Sequence, residues 1–284
     1  MDRMMIPLYG PSILFCPGDR PERFAKAAAA ADTAVLDLED GVMPASKDAA
    51  RDAVCAHIAG GDRHVIVRIN DPATERGQAD LKALAEAGAR SILMAKTETT
   101  SQIEQVVAAM GKSVSLTITV ESAAGLQALP QLLRHDAVSA VSWGPYDLAA
   151  DLGMRAVRDA SGALLPILTQ ARNQILLAAG AARVPVYDTV TAELSDGGQI
   201  LERDANEAAL LGCVGKYMIH PSQTEIVRNA FRPTEQELDR SRRMLEAITD
   251  RGAFLFEGDM TDEPMLRRAR RIVETADRIG TRSP

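Results

Sequence analysis

Eight short apolar segments recur along the 284 residues, and each is followed by a longer segment with helical spacing. The apolar segments are rich in β-branched residues at nearly every position, which is typical of parallel strands buried on both faces. The predicted strands are residues 12–16, 33–38, 65–69, 91–95, 115–120, 138–142, 184–190 and 215–219. Strict alternation of eight such units predicts an α/β fold, a closed (β/α)8 TIM barrel.

A doubly wound open sheet is the alternative architecture. Neither G-x-G-x-x-G nor G-x-x-x-x-G-K-[ST] follows any predicted strand, so the commonest ligand signatures of that fold are absent from the sequence. The barrel therefore remains the favoured prediction.

The residues after the eighth unit are more than a minimal barrel needs. Residues 234–250 read as a charged helix that opens with a capping-box pair, Thr234 and Glu237. An acidic, glycine-containing break at 251–263 and a basic helix at 264–280 follow. We predict a barrel catalytic domain over residues 1–232, and C-terminal helices with a lid over 233–284 as part of the same domain.

The composition excludes several classes of partner. The net charge of -7 and the pI near 5.3 argue against nucleic acid, because phosphate binding needs clustered cations. Cys16, Cys55 and Cys213 have no metal-ligand spacing and are typical of free thiols in a reducing compartment. No stretch is long and apolar enough to cross a bilayer, so we expect a cytoplasmic protein that does not bind membranes.

Polar residues cluster where predicted strands end, which is the end at which barrel enzymes carry their chemistry. Ionisable groups beside buried strands are costly unless they are paired or bound to metal. One shared pocket therefore explains their repetition. In strand order they are Asp37, Glu39, Asp40, Arg68, Asn70, Lys96, Glu121, Gly144 with Asp147, Asp188 and His220.

Glu121 and Asp147 form the best candidate metal pair. They follow adjacent predicted strands, so a barrel brings them together despite their separation in sequence. Two carboxylates without a nearby Cys or His suit Mg²⁺ or Mn²⁺, with substrate oxygens at the remaining positions. The alternative is that each carboxylate caps the helix that follows it.

Arg68 is the candidate binder of a substrate carboxylate. Its planar guanidinium suits bidentate recognition of such a group. The alternative is a structural ion pair with Glu39 or Asp40. The residue types leave both assignments open.

Five ordered motifs resemble the citrate lyase β-subunit-like family of the HpcH/HpaI aldolase superfamily, which is related to the malyl-CoA and citramalyl-CoA lyases. The resemblance covers the whole chain, and the tail GAFLFEGDMTDEP (252–264) resembles the C-terminal lid of that family. The motifs are SILFCPGDRPERFAKAAAAADTAVLDLEDGV (12–42), VIVRIN (65–70), TVESAAGL (119–126), WGPYDLAADLG (143–153) and YMIHPSQ (217–223).

The resemblance implies a barrel in which Glu121 and Asp147 hold Mg²⁺ and a 2-oxo acid chelates the ion. Arg68, held by Glu39 and Asp40, would clamp the acid, and Gly144 lies among the substrate-binding residues. Asp262 matches the acid/base of the lid. The family also implies a homotrimer or dimer of trimers in which the lid of one subunit closes over its neighbour.

The implied reaction is the Claisen-type cleavage or formation of a 3-hydroxyacyl thioester of the citryl-, malyl- or citramalyl-CoA class. Its other products or substrates are an acetyl thioester and a 2-oxo acid. Relatives commonly carry an arginine that helps hold the CoA or carrier moiety where Pro11 stands here. Arg20, Arg23 and Lys47 are the remaining cationic candidates for binding that moiety.

Two other functions stay open at this point. WGPYDLAADLG is somewhat similar to a metal-dependent class II aldolase that acts on free pyruvate-type aldols. A non-catalytic subunit that docks a carrier protein is the second alternative, against which the intact set Arg68, Glu121, Asp147 and Asp262 argues. The sequence leaves open the acyl group, CoA against a carrier protein, and the physiological direction.

Overall fold

The structure, a computed structural model, describes residues 10–61, 65–248 and 252–280. The main sheet has eight parallel strands in the order β6-β5-β4-β3-β2-β1-β8-β7. A parallel bridge from Val141 to Val186 brings β6 back beside the segment that enters β7, which nearly closes the barrel. The predicted (β/α)8 fold is confirmed. The strands are β1 (Ser12–Pro17), β2 (Thr33–Asp37), β3 (Ile66–Ile69), β4 (Ser91–Met94), β5 (Ser115–Val120), β6 (Val138–Trp143), β7 (Tyr187–Asp188) and β8 (Gly215–Met218).

Helices follow each strand, and two of them follow β6. Side chains start several helices in the usual way: Thr74, Thr99 and Ser122 each accept a hydrogen bond from a backbone N–H of the first turn. The helices are α1 (Phe24–Ala30), α2 (Lys47–Ala59), α3 (Glu75–Ala87), α4 (Thr100–Met110), α5 (Ala123–Leu132), α6 (Pro145–Asp151), α7 (Pro166–Ala182), α8 (Gln199–Leu211) and α9 (Thr224–Phe231).

Side chains from the strands fill the barrel interior. A cluster of buried residues takes members from seven of the eight strands, so the interior is a packed core and not a pore. The cluster consists of Ile13, Val35, Ile66, Leu93, Ala140, Tyr187 and Tyr217.

The seventh strand is the one that departs most from the sequence prediction. Residues 184–190 are predicted as a strand, yet only Tyr187–Asp188 pairs as β7. Pro185 has no N–H to donate to a ladder, and the N–H of Val184 bonds instead to Ala179 at the end of α7. The segment has the apolar composition of a buried strand, but only two of its residues pair with β8.

The chain divides into two compact units, Met1–Val227 and Arg228–Pro284. The predicted boundary at residue 232 lies close to this division, and the assignment of both parts to one domain stays a prediction. None of the described helices is long and apolar enough to span a bilayer.

The second unit contains α10 (Glu235–Glu246), a hairpin of β9 (Phe254–Phe256) and β10 (Asp259–Thr261), and α11 (Glu263–Gly280). The capping box of Thr234 and Glu237 is present at the start of α10. The hairpin was not predicted, because three-residue strands are too short to show alternation. Glu257 and Gly258, both at positive φ, make its two-residue turn. Residues 249–251, which fall in predicted segments, lie outside the described residues.

Candidate metal and acid-binding site

A cavity of about 100 Å³ in the first unit brings together side chains from six barrel strands and the segments that follow them. Four predicted site residues line it: Arg68, Glu121, Gly144 and Asp147. The other lining residues are Phe15, Leu93, Thr119, Ser142, Trp143, Tyr146, Thr189, Val190 and Tyr217. A larger groove of about 620 Å³ along α7 has no ionisable side chain in its lining, so the smaller cavity is the candidate for chemistry.

Glu121 lies directly after β5 and is only 7% exposed. Its Oε1 accepts a hydrogen bond of 2.6 Å from the backbone N–H of Lys96. Burial, together with the nearby charge of Asp147, raises the pKa of Glu121 to about 7. The following helix is capped by Ser122, whose hydroxyl accepts from the N–H of Gly125. Glu121 therefore does not act as a cap and turns into the cavity.

Asp147 lies in the first turn of α6 with its side chain about half exposed. Gly144, which precedes this helix, provides no side-chain cap. A Cβ on Gly144 would stand 2.4 Å from Oε2 of Glu121, closer than any real contact. A larger residue where β6 ends would therefore have to displace the Glu121 side chain from its position.

Arg68 is held by Asp37, a strand-end carboxylate that was expected in the shared pocket but not as the partner of Arg68. Its Nε and Nη2 donate to the two oxygens of Asp37 at 2.7 and 2.6 Å. The same carboxylate accepts the backbone N–H groups of Glu39 and Gly41 at 2.8 Å each. Burial alone would lower the pKa of Arg68, but the contacts with Asp37 outweigh it and raise that pKa above its ordinary value.

The expected pairing of Arg68 with Glu39 and Asp40 is correct for Glu39 alone. Glu39 Oε2 lies 3.1 Å from Arg68 Nη1, whereas Asp40 bonds to Lys96 Nζ at 2.8 Å. Burial opposes ionisation of Asp40, yet the hydrogen bond from Lys96 keeps the pKa of Asp40 below its usual range. Asp40 is therefore an ion-pair partner of Lys96 and not of Arg68.

Lys96 lies between Glu39, which contacts Arg68, and Asp147. Its ammonium donates to Glu39 Oε1 at 2.6 Å and lies 3.8 Å from Asp147 Oδ1. The residue adopts φ 48°, a left-handed conformation that is costly for a residue with a Cβ. Burial alone would lower the pKa of Lys96, but the hydrogen bonds to Asp40 and Glu39 raise it.

The three cations predicted to bind a thioester carrier differ in their surroundings. Arg20 and Arg23 are exposed at the turn Pro21–Arg23, and among the described residues each forms a long ion pair with a neighbour in sequence, at 3.9 and 3.8 Å. Lys47 Nζ donates to the carbonyls of Leu38 and Glu39 and to Asn70 Oδ1. Lys47 thus ties the β2 and β3 loops together, and its role in carrier binding stays a prediction.

Asp262 belongs to the second unit. It is exposed and follows β10 directly, and its carbonyl accepts the N–H groups of Met265 and Leu266 at the start of α11. Its carboxylate is therefore presented at the end of the hairpin.

The donor set of the cavity fits a hard divalent cation. Glu121 and Asp147 are its two acidic groups, and no described lining residue is His or Cys. Mg²⁺ characteristically binds one or two carboxylates and fills its other positions with water and substrate oxygens. No group of three or more His, Cys, Asp or Glu side chains in the described part of the chain is arranged to hold a metal.

A family model described as HpcH/HpaI aldolase/citrate lyase matches residues 11–221. The chain belongs to this family of enzymes, which confirms the predicted resemblance and the predicted lyase class. A citrate lyase subunit beta-like protein of Mycobacterium tuberculosis is 40% identical over 268 residues, which are 94% of this chain and 96% of that protein.

Solved structures agree with the fold. The crystal structure of CitE from Mycobacterium tuberculosis in complex with magnesium, acetoacetate and coenzyme A has a TM-score of 0.86 and 39% identity, covering 96% of this chain and all of that one. A citrate lyase beta subunit from the same organism, complexed with oxaloacetate and magnesium, has a TM-score of 0.74 and 39% identity, covering 80% and 98% of the two chains.

Proposed function

We propose that the protein is a Mg²⁺-dependent carbon–carbon lyase or synthase. It cleaves or forms a 3-hydroxyacyl thioester of the citryl-, malyl- or citramalyl-CoA class, with an acetyl thioester and a 2-oxo acid on the other side of the reaction. The observation that carries the proposal is that Arg68, Glu121 and Asp147 line one and the same small cavity. Relatives that bind magnesium with oxaloacetate, or with acetoacetate and coenzyme A, support it.

Glu121 and Asp147 would hold the ion, Mg²⁺ or Mn²⁺. A buried carboxylate whose pKa is raised by a second carboxylate is unfavourable as an anion by itself, and a divalent cation between the two relieves that repulsion. The bound ion would supply Lewis acidity to the ketone oxygen of the 2-oxo acid. Lys96 keeps Glu121 oriented through its backbone N–H.

Arg68, which lines the same cavity from β3, would bind the acid. Asp37 uses Nε and Nη2 of Arg68, and Glu39 approaches Nη1, so the guanidinium is fixed in direction before a ligand arrives. Such preorganisation lets its positive charge stabilise oxygen that becomes more negative during the reaction. Glu39 and Asp37 act through Arg68 and need not touch substrate.

In the cleavage direction the 3-hydroxyl, which the bound ion would acidify, loses its proton to solvent, its oxygen becomes the oxo group of the 2-oxo acid, and the bond between C2 and C3 breaks. The electron pair of that bond passes to C2 and forms the enolate of the acetyl thioester. Asp262 would donate the proton that C2 needs and, in the synthetic direction, would remove it.

The hairpin that precedes Asp262 would act as a lid over a neighbouring subunit of a homotrimer or dimer of trimers. Leu255 and Met260 are cross-strand partners, and both are largely exposed, at 73% and 68%. An exposed apolar pair on one hairpin face suits burial against another surface. Closure would exclude water from the enolate.

The test is to incubate the full-length protein and Mg²⁺ with malyl-, citramalyl- or citryl-CoA. Turnover is measured as the release of 2-oxo acid and acetyl-CoA, and a reaction with chelator is the blank. Glu121→Gln should abolish turnover while the protein stays folded. Glu207→Gln is the matched control, because Glu207 pairs with Arg172 away from the cavity. Cleavage of free 4-hydroxy-2-oxo acids in place of thioesters would identify an aldolase and overturn the proposal.

A further inference from the structure

A buried ion pair lies behind the cavity and has no part in the proposed mechanism. Lys216 on β8 is fully buried, and its Nζ donates to Asp188 Oδ2 and to the carbonyl of Thr189, both at 2.6 Å. A buried ammonium is tolerated only when such partners replace its hydration. Thr189 also lines the cavity, so the pair reaches the cavity wall.

The second oxygen of Asp188 accepts a hydrogen bond of 2.9 Å from the indole N–H of Trp143. Trp143 ends β6, is 2% exposed and lines the same cavity as Arg68 and Glu121. One carboxylate therefore holds a buried cation with one oxygen and an aromatic wall of the cavity with the other.

This arrangement restrains the indole. A tryptophan side chain has two rotatable bonds, and the hydrogen bond to Asp188 holds the far edge of the ring. Asp188 is itself held by Lys216 and cannot move with the ring. A rotation of the indole would therefore break its hydrogen bond to Asp188. In a cavity of about 100 Å³ the position of one wall decides the length of ligand that fits.

We propose that Asp188 is a positioning residue that locks Trp143 as a rigid wall, and that this wall restricts the cavity to 2-oxo acids with a short side chain. The proposal rests on the proposed function, since it takes the cavity to be the 2-oxo acid site. Rigid apolar walls discriminate single methylene groups by about 10- to 200-fold.

Two double variants isolate the hydrogen bond to the indole. Single replacement of Asp188 leaves Lys216 buried without its counter-ion, which threatens folding. Asp188→Asn with Lys216→Met removes both charges and keeps an oxygen that accepts from Trp143. Asp188→Leu with Lys216→Met removes the same charges and also the acceptor. Trp143→Phe, which shortens the wall and leaves the ion pair in place, is a third variant that does not depend on either double variant folding.

The measurement is calorimetric affinity for pyruvate, 2-oxobutyrate and 2-oxovalerate in saturating Mg²⁺. Trp143 is the one tryptophan of the chain, so its emission reports the wall directly. The wild type and the Asn/Met variant should prefer pyruvate by about tenfold or more per added methylene. The Leu/Met variant and Trp143→Phe should lose about tenfold of that preference, and the Leu/Met variant should also show a shifted indole emission.

A merely structural role would lower the thermal midpoint of both double variants and leave the preference among the acids unchanged, which would overturn the inference. Equal behaviour of the two double variants would do the same. If the wild type binds neither these three acids nor glyoxylate or oxaloacetate in Mg²⁺, the proposed function is wrong and this inference is wrong with it. Binding of oxaloacetate without binding of pyruvate would overturn the inference alone. If the wild type binds the three acids but the preference does not respond, only the inference is wrong.

Discussion

The backbone N–H of Lys96 donates to Glu121 Oε1 at 2.6 Å from a left-handed conformation, φ 48°. Such a conformation costs a residue with a Cβ about 1–2 kcal/mol. The orientation of Glu121, a candidate metal ligand, is thus set by the main chain that follows β4, the neighbouring strand of the barrel.

Lys96→Gly removes the strain and keeps the backbone donor. Compared with Lys96→Met, which also lacks the ammonium, it should raise the free energy of unfolding by about 1 kcal/mol. Mg²⁺ affinity should be the same in the two variants, because Glu121 contacts the main chain in both. Denaturant unfolding and calorimetry measure the two quantities. A tenfold loss of Mg²⁺ affinity in Lys96→Gly alone would show that more than the N–H orients Glu121.

Mg²⁺ affinity should depend on pH through Glu121. The pKa of this carboxyl is raised to about 7, and the metal needs the anion, so affinity should rise about tenfold between about pH 6 and pH 8. A titration of Mg²⁺ by calorimetry at several pH values, in buffers of different ionisation enthalpy, should show proton release near pH 6. The same titration of Asp147→Asn should show a weaker pH dependence, since the neighbouring charge is gone.

The metal-free stability should follow the opposite trend. The folded pKa of Glu121 lies above its unfolded value of 4.5, so the folded state binds the proton more tightly. The resulting stabilisation is fully present below about pH 4.5 and is lost as the pH rises through about 7. Glu121→Gln should remove this component of the stability profile. A profile identical to that of the wild type would contradict the raised pKa.

Gly144→Ala should weaken Mg²⁺ binding by about tenfold or more, because a Cβ there would meet Oε2 of Glu121 at 2.4 Å and displace it. Gly180→Ala is the matched control: it lies inside α7, where an added Cβ meets nothing within 4 Å. That change should leave Mg²⁺ binding unaltered and stabilise the fold by about 0.5–1 kcal/mol. Unchanged Mg²⁺ affinity in Gly144→Ala would remove Glu121 from the metal site.

Arg68→Lys should weaken 2-oxo acid binding by about 10- to 100-fold. A lysine keeps the positive charge, but its ammonium cannot bond to both oxygens of Asp37 and bind a ligand at the same time. Arg172→Lys replaces a buried arginine on α7 and should leave binding intact. Binding is read by thermal shift with pyruvate and Mg²⁺. Equal affinity in Arg68→Lys would assign Arg68 a structural role only.

Asp262→Asn should abolish turnover with little change in 2-oxo acid binding, because the cavity residues are untouched. Mixed oligomers of Asp262→Asn and Glu121→Gln subunits should regain part of the activity, since some pockets then combine an intact cavity with an intact lid. Hybrids that form but stay inactive would refute a lid that acts across subunits. The proposed metal site would survive that result.

The local pattern of apolar residues in the sequence was sufficient to predict most of the fold. Seven of the eight strand predictions agree with the observed strands to within a residue or so at either end, since buried parallel strands need continuous apolar runs. Residues 184–190 failed as a strand because Pro185 interrupts the pairing, and the hairpin at Phe254–Phe256 and Asp259–Thr261 was too short to leave a periodic signal.

What the sequence by itself determined is that polar side chains end successive strands, because a barrel carries its chemistry at that end. This placed Arg68, Glu121 and Asp147 in one cavity. Only the tertiary structure decided which partners they have: Asp37 and not Asp40 beside Arg68, and Lys96 on Glu121. Side chains at neighbouring strand ends lie within reach of several partners. Rotamers, burial and one left-handed backbone position select among those partners, and none of these is encoded in spacing.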